Sequence, residues 1–413
     1  MKRLMSMLRS LPGWMAGSAV RCAWIFLFVI AFIAVSGPLI SNEKPYYCKL
    51  DGRTYFPLFS SVSESGLSAT HPAHSPVSWR NTAFESVWRA PVPYSHHTID
   101  LNSGSYLSPF SAQGDQYRFR HWLGTDLLGR DVLAGLIRGC RVSLLIGFGS
   151  MLIALLIGIP LGASAAWWGN TRWRITWSQL AIILICSVMI FLVWFTPLSL
   201  IVRALISLVL SFAMIFLLKK TGIDSRGSIS VRVDGMVMGW VSIIDGFPGI
   251  FLILILVAIV PLKGWVVVML TIALLRWPSM ARYMRAEVFK MKETNYIKAA
   301  QILNVPSWQI LRRHIMPYAF RPVLISFIFG VSSAILAETS LSFLGIGLPT
   351  EEINWGRLLA QSRNHFDAWW LVVFPGLAIF FTLLSLYTIG NAWQKEKVSS
   401  KQYAVSSKQY VNA

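Results

Sequence analysis

Long apolar runs separated by short basic segments set the pattern of this chain. The runs are Cys22 to Ile40, Val142 to Trp167, Trp177 to Leu218, Ile250 to Pro261, Gly264 to Tyr283, Pro322 to Leu336 and Asp367 to Ile389. Runs of roughly 20 apolar residues with few charges predict helices that cross a bilayer. The stretch from Trp177 to Leu218 is long enough for two short crossings, broken at Thr196-Pro197, so the pattern predicts about eight spans. One polar, basic segment, Asn295 to Pro317, carries two short helical patterns. In the first, Tyr296, Ala299, Ala300 and Leu303 have the i, i+3, i+4, i+7 spacing of one apolar face. Asn304 takes the left-handed conformation that ends a helix, and Pro306 cannot continue it. Ser307 is then a natural N-cap for a second helix bearing Trp308, Ile310, Leu311 and Ile315. The prediction is a helix, a tight corner and a helix.

Composition sharpens the class. Of 413 residues, 55% are hydrophobic and 13% charged, with a mean hydropathy of +0.56, which marks a polytopic membrane protein. A formal charge of +19 would otherwise point to nucleic acid. Here the basic residues lie in short loops beside apolar runs, the pattern that orients membrane spans, so nucleic-acid binding is excluded. Lys2, Arg3, Arg9 and Arg21 place residues 1–21 in the cytoplasm, ahead of a first span over 22–40. A signal peptide is the competing reading of this start; the length of the run, extended by Pro38-Leu39-Ile40, favours a retained span.

Residues 41–141 then form a polar extracytoplasmic segment with no sustained period, predicted as an irregular or β-containing cap. His71, His74, His96 and His97 have no carboxylate or cysteine framework beside them and read as a solvated loop. Cys48 and Cys140 both lie on the oxidising side and are candidates to pair, whereas Cys22 and Cys186 lie in apolar runs and read as inert. Gly158 and Gly162 have the spacing of close helix packing, and Trp167 and Trp168 are expected at the membrane interface. The run 177–218, with Arg203 near its turn and Lys219, Lys220 and Arg232 after it, reads as a helical hairpin that enters and leaves on the cytoplasmic side; a re-entrant hairpin is the alternative. Asp367 to Ile389 is the last span, with Trp369 and Trp370 as its outer belt. The tail, 391–413, holds two copies of a polar heptad, Val398 to Ala404 and Val405 to Val411, whose composition predicts disorder.

The chemistry of the chain is that of a coupled part. It has no Gly-x-x-x-x-Gly-Lys-Ser/Thr phosphate loop, no Gly-x-Ser-x-Gly elbow, no His-Glu-x-x-His and no cysteine cluster. A carrier driven by an ion gradient needs ionisable residues within its spans, and here they reduce to Asp245, Arg203 and Arg276, each near a span end. Transport work must therefore come from another subunit, or else the chain is a polytopic enzyme or scaffold.

The Asn295–Pro317 segment resembles the EAA loop of binding-protein-dependent ABC transporter permeases. Ala299, Ala300, Asn304 and Pro317 fall in the register of that Glu-Ala-Ala-x-x-x-Gly motif, and His314-Ile315-Met316-Pro317 is similar to its closing stretch. Lys298 stands where Glu is usual and Asn304 where Gly is usual. The stretch His121 to Val132, with Gly124, Thr125, Asp126, Gly129, Arg130 and Asp131, resembles the segment before the second span of dipeptide and oligopeptide permeases. Physically it is either an interfacial element whose charges cap one another or an outer mouth that touches substrate. Glu338 to Gly345 resembles the family's outer segment, with a re-entrant turn running to Pro349 and Glu351, Glu352 beyond. Ser41 to Pro45, Asp51-Gly52 and Tyr55 to Pro57 are more narrowly similar to permeases of the microcin C uptake type.

This resemblance implies an all-α polytopic fold: about six core transmembrane helices of the type I ABC importer permease fold, over 142–390, plus the inserted hairpin 177–218 and the large extracytoplasmic loop. It implies a bacterial inner-membrane location with both termini cytoplasmic, and peptide import by alternating access; nickel or another solute is the alternative cargo. The chain is then no enzyme and binds no cofactor or metal, ATP and Mg being held by partner ATPase subunits. The other implied partners are a homologous permease forming a heterodimer, an extracytoplasmic solute-binding protein and membrane lipid. The loop 284–317 would couple to the ATPase through Ala299, Ala300, Asn304, His314 and Pro317. The plain alternative is a cytoplasmic loop whose amphipathic helices rest on the lipid surface.

Overall fold

The computed structural model describes residues 17–50, 52–58, 84–100, 104–111, 113, 119–169, 173–176, 200–220, 228–259, 264–346, 349 and 352–411, with a few single positions between 182 and 193. Lys2, Arg3, Arg9, Asp51, His71, His74, the Thr196-Pro197 break, Pro261 and Glu351 lie outside them, as does the side chain of Arg203. In chain order the elements are α1 (Ser18–Ile40), β1 (Tyr47–Leu50), β2 (Arg53–Tyr55), β3 (Ser86–Trp88), α2 (Val132–Trp168), β4 (Trp173–Thr176), α3 (Leu200–Lys220), β5 (Ser228–Val231), α4 (Val233–Asp245), α5 (Gly249–Ile259), α6 (Trp265–Lys292), α7 (Asn295–Ile302), α8 (Ser307–Phe343), α9 (Trp355–Gln361) and α10 (Trp370–Val411). Among the described residues five helices are long and apolar enough to cross a membrane, namely α1, α2, α6, α8 and the Trp370–Lys395 part of α10. The fold is all-α and polytopic, as the apolar runs predict. Packing divides the chain into two units.

The first unit comprises Met1–Ile157, Phe247–Met280 and Arg321–Ala413. Here α1 lies along α10, with the Phe26 and Phe381 rings 5.9 Å apart. The expected β-containing cap is an antiparallel sheet of order β2-β1-β3. Its middle strand carries Cys48, opposite Tyr55 on one side and Val87 on the other. Cys48 and Cys140, the candidates to pair, are both buried and both free; one is fixed in the sheet and the other inside α2.

Helix α2 begins well before the apolar run at Val142, because Asp131 caps it: its Oδ1 accepts from the Ala134 backbone N–H at 2.7 Å. Helix α8 likewise outlasts its apolar run, through Glu338 to Phe343, and Gly345 ends it with φ +79. The Ile346 N–H reaches the Leu341 carbonyl and the Gly345 N–H that of Ser342, a Schellman closure of the helix; Gly347, Leu348 and Thr350, where the re-entrant turn is expected, lie outside the described residues. Trp370 is buried, not part of an outer belt, and its indole N–H donates to the Thr125 carbonyl at 3.1 Å. Helix α10 runs on through the heptad repeat to Val411, where composition predicts disorder; no Gly or Pro follows Gly390 to break it.

The second unit comprises Gly158–Gly246 and Ala281–Phe320. In it β4 and β5 pair antiparallel, from Trp173↔Val231 to Thr176↔Ser228. The chain between them therefore leaves and returns at one place, and α3 lies within that excursion. The Asp234 N–H donates to the Gly169 carbonyl at 3.2 Å, joining the flanks of the excursion. Gly162 packs on the Ala281 backbone, where no side chain would fit. Trp167 is buried rather than interfacial; the Lys292 ammonium caps the end of α2 there, donating to the Ala166 and Trp167 carbonyls at 2.9 and 3.3 Å. Arg285 holds both oxygens of Asp234, at 2.5 and 2.7 Å, and Arg282 pairs with Asp245.

Candidate functional site

The corner between α7 and α8 is built by backbone capping. Asn304 has φ +56, the left-handed region that Asn tolerates better than other side-chain-bearing residues. Around it the Asn304 N–H donates to the Gln301 carbonyl and the Val305 N–H to the Ala300 carbonyl, both at 3.1 Å. These two bonds form a Schellman motif with Asn in the place usually taken by Gly. Ala299 also contributes a carbonyl, which accepts from the Leu303 N–H at 3.0 Å. Pro306, not Ser307, is the N-cap of the next helix, and no side chain caps it.

After Ser307–Gln309, helix α8 passes into a π-helical stretch, Ile310–Ile315, in which the Met316 N–H reaches back to the Leu311 carbonyl. Pro317 follows at once. A proline ring clashes with the carbonyl four residues earlier and has no N–H to give; the wider π turn before it accommodates both, and the helix continues unbroken to Phe343. Pro317 therefore does not mark a junction between loop and span. His314 is half-buried, and its carbonyl accepts the Tyr296 hydroxyl at 3.1 Å.

Burial divides the corner into two faces. Ile297, Ile310, Leu311 and Ile315 are buried inside it. Ile302, Leu303 and Trp308 point to solvent with 80%, 76% and 65% of their surfaces exposed. The apolar face read from spacing is thus wrong in part: Tyr296, Ala299 and Leu303 are exposed, Ala300 is half-buried, and Ile297 is the residue that packs inward. Lys298, the departure from the expected motif, pairs with Glu293 at 3.0 Å. Trp308, Gln309, Arg312 and Arg313 line a groove beside the apolar tip.

The second predicted constellation is an internal lock. Thr125, Asp126, Arg130 and Asp131 are all buried. Asp126 accepts from the Leu128 and Arg130 backbone N–H groups, both at 2.9 Å, from Arg130 Nε at 2.8 Å and from Gln361 Nε2 at 3.2 Å. Thr125 receives the Leu107 N–H at 2.7 Å. Gly129 has φ +76, and a Cβ there would lie 2.8 Å from the Asp100 carbonyl; Gly124, φ +79, likewise meets the Leu107 carbonyl. Between these stands His121, buried, with Nδ1 at 2.9 Å from Asp131 and Nε2 at 3.3 Å from Asp100, its ring stacked on Tyr94. Both ring nitrogens thus face carboxylates, which only accept. The charges cap one another, and none of the four presents a free face to a solute.

Residues 221–396 match the family described as binding-protein-dependent transport system inner membrane component. Over that stretch the chain is similar to the binding-protein-dependent permeases. The chain is 28% identical over 376 residues to the inner membrane ABC transporter permease protein YejE of Escherichia coli K12, covering 89% of each chain. It is 29% identical over 306 residues to the di/tripeptide transport system permease protein DppC of Pseudomonas aeruginosa, covering 74% of this chain and 78% of that one. To the glutathione transport system permease protein GsiD of Pectobacterium atrosepticum it is 28% identical over 295 residues, 69% and 77% of the two chains. These relatives are named as permease components of transport systems, in keeping with the five described helices here that are long and apolar enough to cross a membrane.

Two features of the chain do not follow from its sequence pattern. The exposure of Ile302 and Trp308 was not foreseen, although an apolar pair directly before a left-handed residue, followed by Trp just past a Pro, is a usable signal. His121 as a buried hub had none, since its two carboxylates, Asp100 and Asp131, are distant or unremarkable in spacing.

Proposed function

We propose that this permease moves peptides inward across a bacterial inner membrane by alternating access, and that its Asn295–Pro317 corner is where a partner ATPase docks. The observation that carries the reading is the rigid left-handed corner that exposes Ile302, Leu303 and Trp308. Exposed apolar residues grouped at one tip and rimmed by charge mark an interaction surface. Arg312 and Arg313 on its flank suit a cleft with an acidic rim. Ala299, Ala300 and Asn304 shape the corner through their backbone; His314 anchors it by its carbonyl, and Pro317 fits behind the π turn.

ATP and Mg belong to the ATPase, whose closure on nucleotide supplies the work; this chain passes motion from the corner into α6 and α8, the helices continuous with it. The cluster Arg282, Arg285, Lys290, Lys292, Arg312 and Arg313 supports a cytoplasmic side for the corner, and both termini are read as lying on that side. The relatives named for glutathione and di/tripeptide transport support a peptide cargo, presented by an extracytoplasmic binding protein. A second, homologous permease completes a heterodimer.

The test is reconstitution in proteoliposomes with the sister permease, ATPase and binding protein. Uptake of the peptide held by the binding protein should need all four components and ATP. Uptake that persists without the ATPase contradicts the proposal.

A further inference from the structure

Where α1 ends against the first turns of α2 there is a cavity of about 120 Å³, lined among others by Ser41, Asn42, His96, Arg138 and Arg141. All of these belong to one unit. The volume equals about four waters at ~30 Å³ each and falls short of the ~300 Å³ at which sites for whole small molecules begin. It accommodates one chemical group, not a transported peptide.

The wall of this cavity is cationic. Among the described residues no carboxylate lines it. Arg138 gives one terminal nitrogen to Glu352 at 3.0 Å, while its Nε is buried without a hydrogen-bond partner. The Nε2 of His96 is buried and unpartnered as well. Burial first, then the charges of His97, Arg138 and Arg130, pushes His96 down to about 3, so it presents a neutral ring beside the guanidinium groups. Arg141, on the same side of α2, is exposed. The carbonyls that end α1 do not offset this charge, for Gly37 accepts from the Ser41 N–H at 2.9 Å and Pro38 from Asn42 Nδ2 at 3.2 Å. A buried donor left unmet costs stability, and a small oxyanion would meet two at once.

Depth identifies the source of the oxyanion. The cavity lies where α1 finishes, at Ile40, and just before the apolar part of α2 begins at Val142, which is headgroup level for two helices that cross a bilayer. Val35 and Leu39, 83% and 45% exposed, continue from its rim as apolar surface for an acyl chain. We propose that this cavity binds the phosphate of an anionic phospholipid, gripped by Arg138 Nε and Arg141 with His96 as the third contact.

The test uses the full-length chain purified in mild detergent from phosphatidylglycerol-containing membranes, with retained phosphatidylglycerol counted by native mass spectrometry. Arg141→Gln should retain about tenfold less than wild type, as loss of one charge-assisted contact implies, and Arg141→Lys should retain most of it. His96→Leu, which breaks no ion pair, should also lower retention. Equal retention in wild type, Arg141→Gln and His96→Leu overturns the site. A second arm titrates the delipidated wild-type chain with inorganic phosphate. Failure to bind at millimolar phosphate supports the lipid; saturable binding that Arg141→Gln abolishes assigns the cavity to free phosphate and overturns the lipid assignment.

Discussion

The Tyr296 hydroxyl donates to the His314 carbonyl at 3.1 Å and so ties α7 to the start of α8 across the Asn304 corner. The two residues are 18 apart in the chain, and their rings also meet, with centroids 6.4 Å apart. This bond is the brace that keeps the corner's exposed tip in one orientation. Tyr296→Phe keeps the ring and removes about 1 kcal/mol of hydrogen bonding. The expected result is an unchanged helix content and an ATPase affinity about fivefold weaker, measured by titrating the reconstituted permease with the ATPase.

The left-handed Asn304 carries a sharper expectation. Glycine adopts φ +56 freely, whereas a β-branched residue there costs about 1–2 kcal/mol. Asn304→Gly should leave transport intact, and Asn304→Val should loosen the corner. Hydrogen exchange of the Asn304 and Val305 amides checks this: faster exchange in the Val variant, no change in the Gly variant.

The outer lock predicts a loss of stability rather than of recognition. Arg130→Ala leaves the Asp126 carboxylate buried with its backbone and Gln361 donors but no cation. Removing one partner of a buried pair costs about 3 kcal/mol or more. The melting temperature of the purified chain should fall by several degrees. A direct substrate contact would instead lower uptake at constant melting temperature.

His96 gives the chain a pH dependence of definite sign. Burial chiefly, with His97 and Arg138, lowers its value from 6.5 to about 3. The unfolded chain therefore binds more protons than the folded one between those values, and stability falls as pH drops through that window. Melting curves should show a loss from pH 6.5 downward that His96→Leu reduces. The opposite slope would contradict the half-buried neutral ring.

How much of this was legible before the structure depends on where the deciding physics lies. The long helices follow from local apolarity, and Asn304 from its own backbone preference, so both could be read from residue type. The start of α2 at Val132 was not, because Asp131 extends the helix by capping where hydropathy says nothing. The buried face of α7 was misread because an eight-residue helix satisfies several spacings, and the buried core of Ile310, Leu311 and Ile315 selects Ile297 over Leu303. Trp370 looked like a belt residue by type; its indole bond to Thr125 is a contact across 245 residues that no local pattern announces. The charges of the outer motif were visible, but only their mutual capping in space shows that they face inward.

The central claim is that the exposed tip of the corner is the ATPase docking surface. Leu303, 76% exposed, loses nothing in the isolated chain when made polar, while its burial in a cleft is worth about 1.5–3 kcal/mol. The direct measurement is recovery of the ATPase with the purified permease, comparing wild type with Leu303→Asp at equal melting temperature. The account predicts that recovery falls at least tenfold, as that energy implies. Equal recovery of the ATPase by the folded Leu303→Asp permease would contradict it.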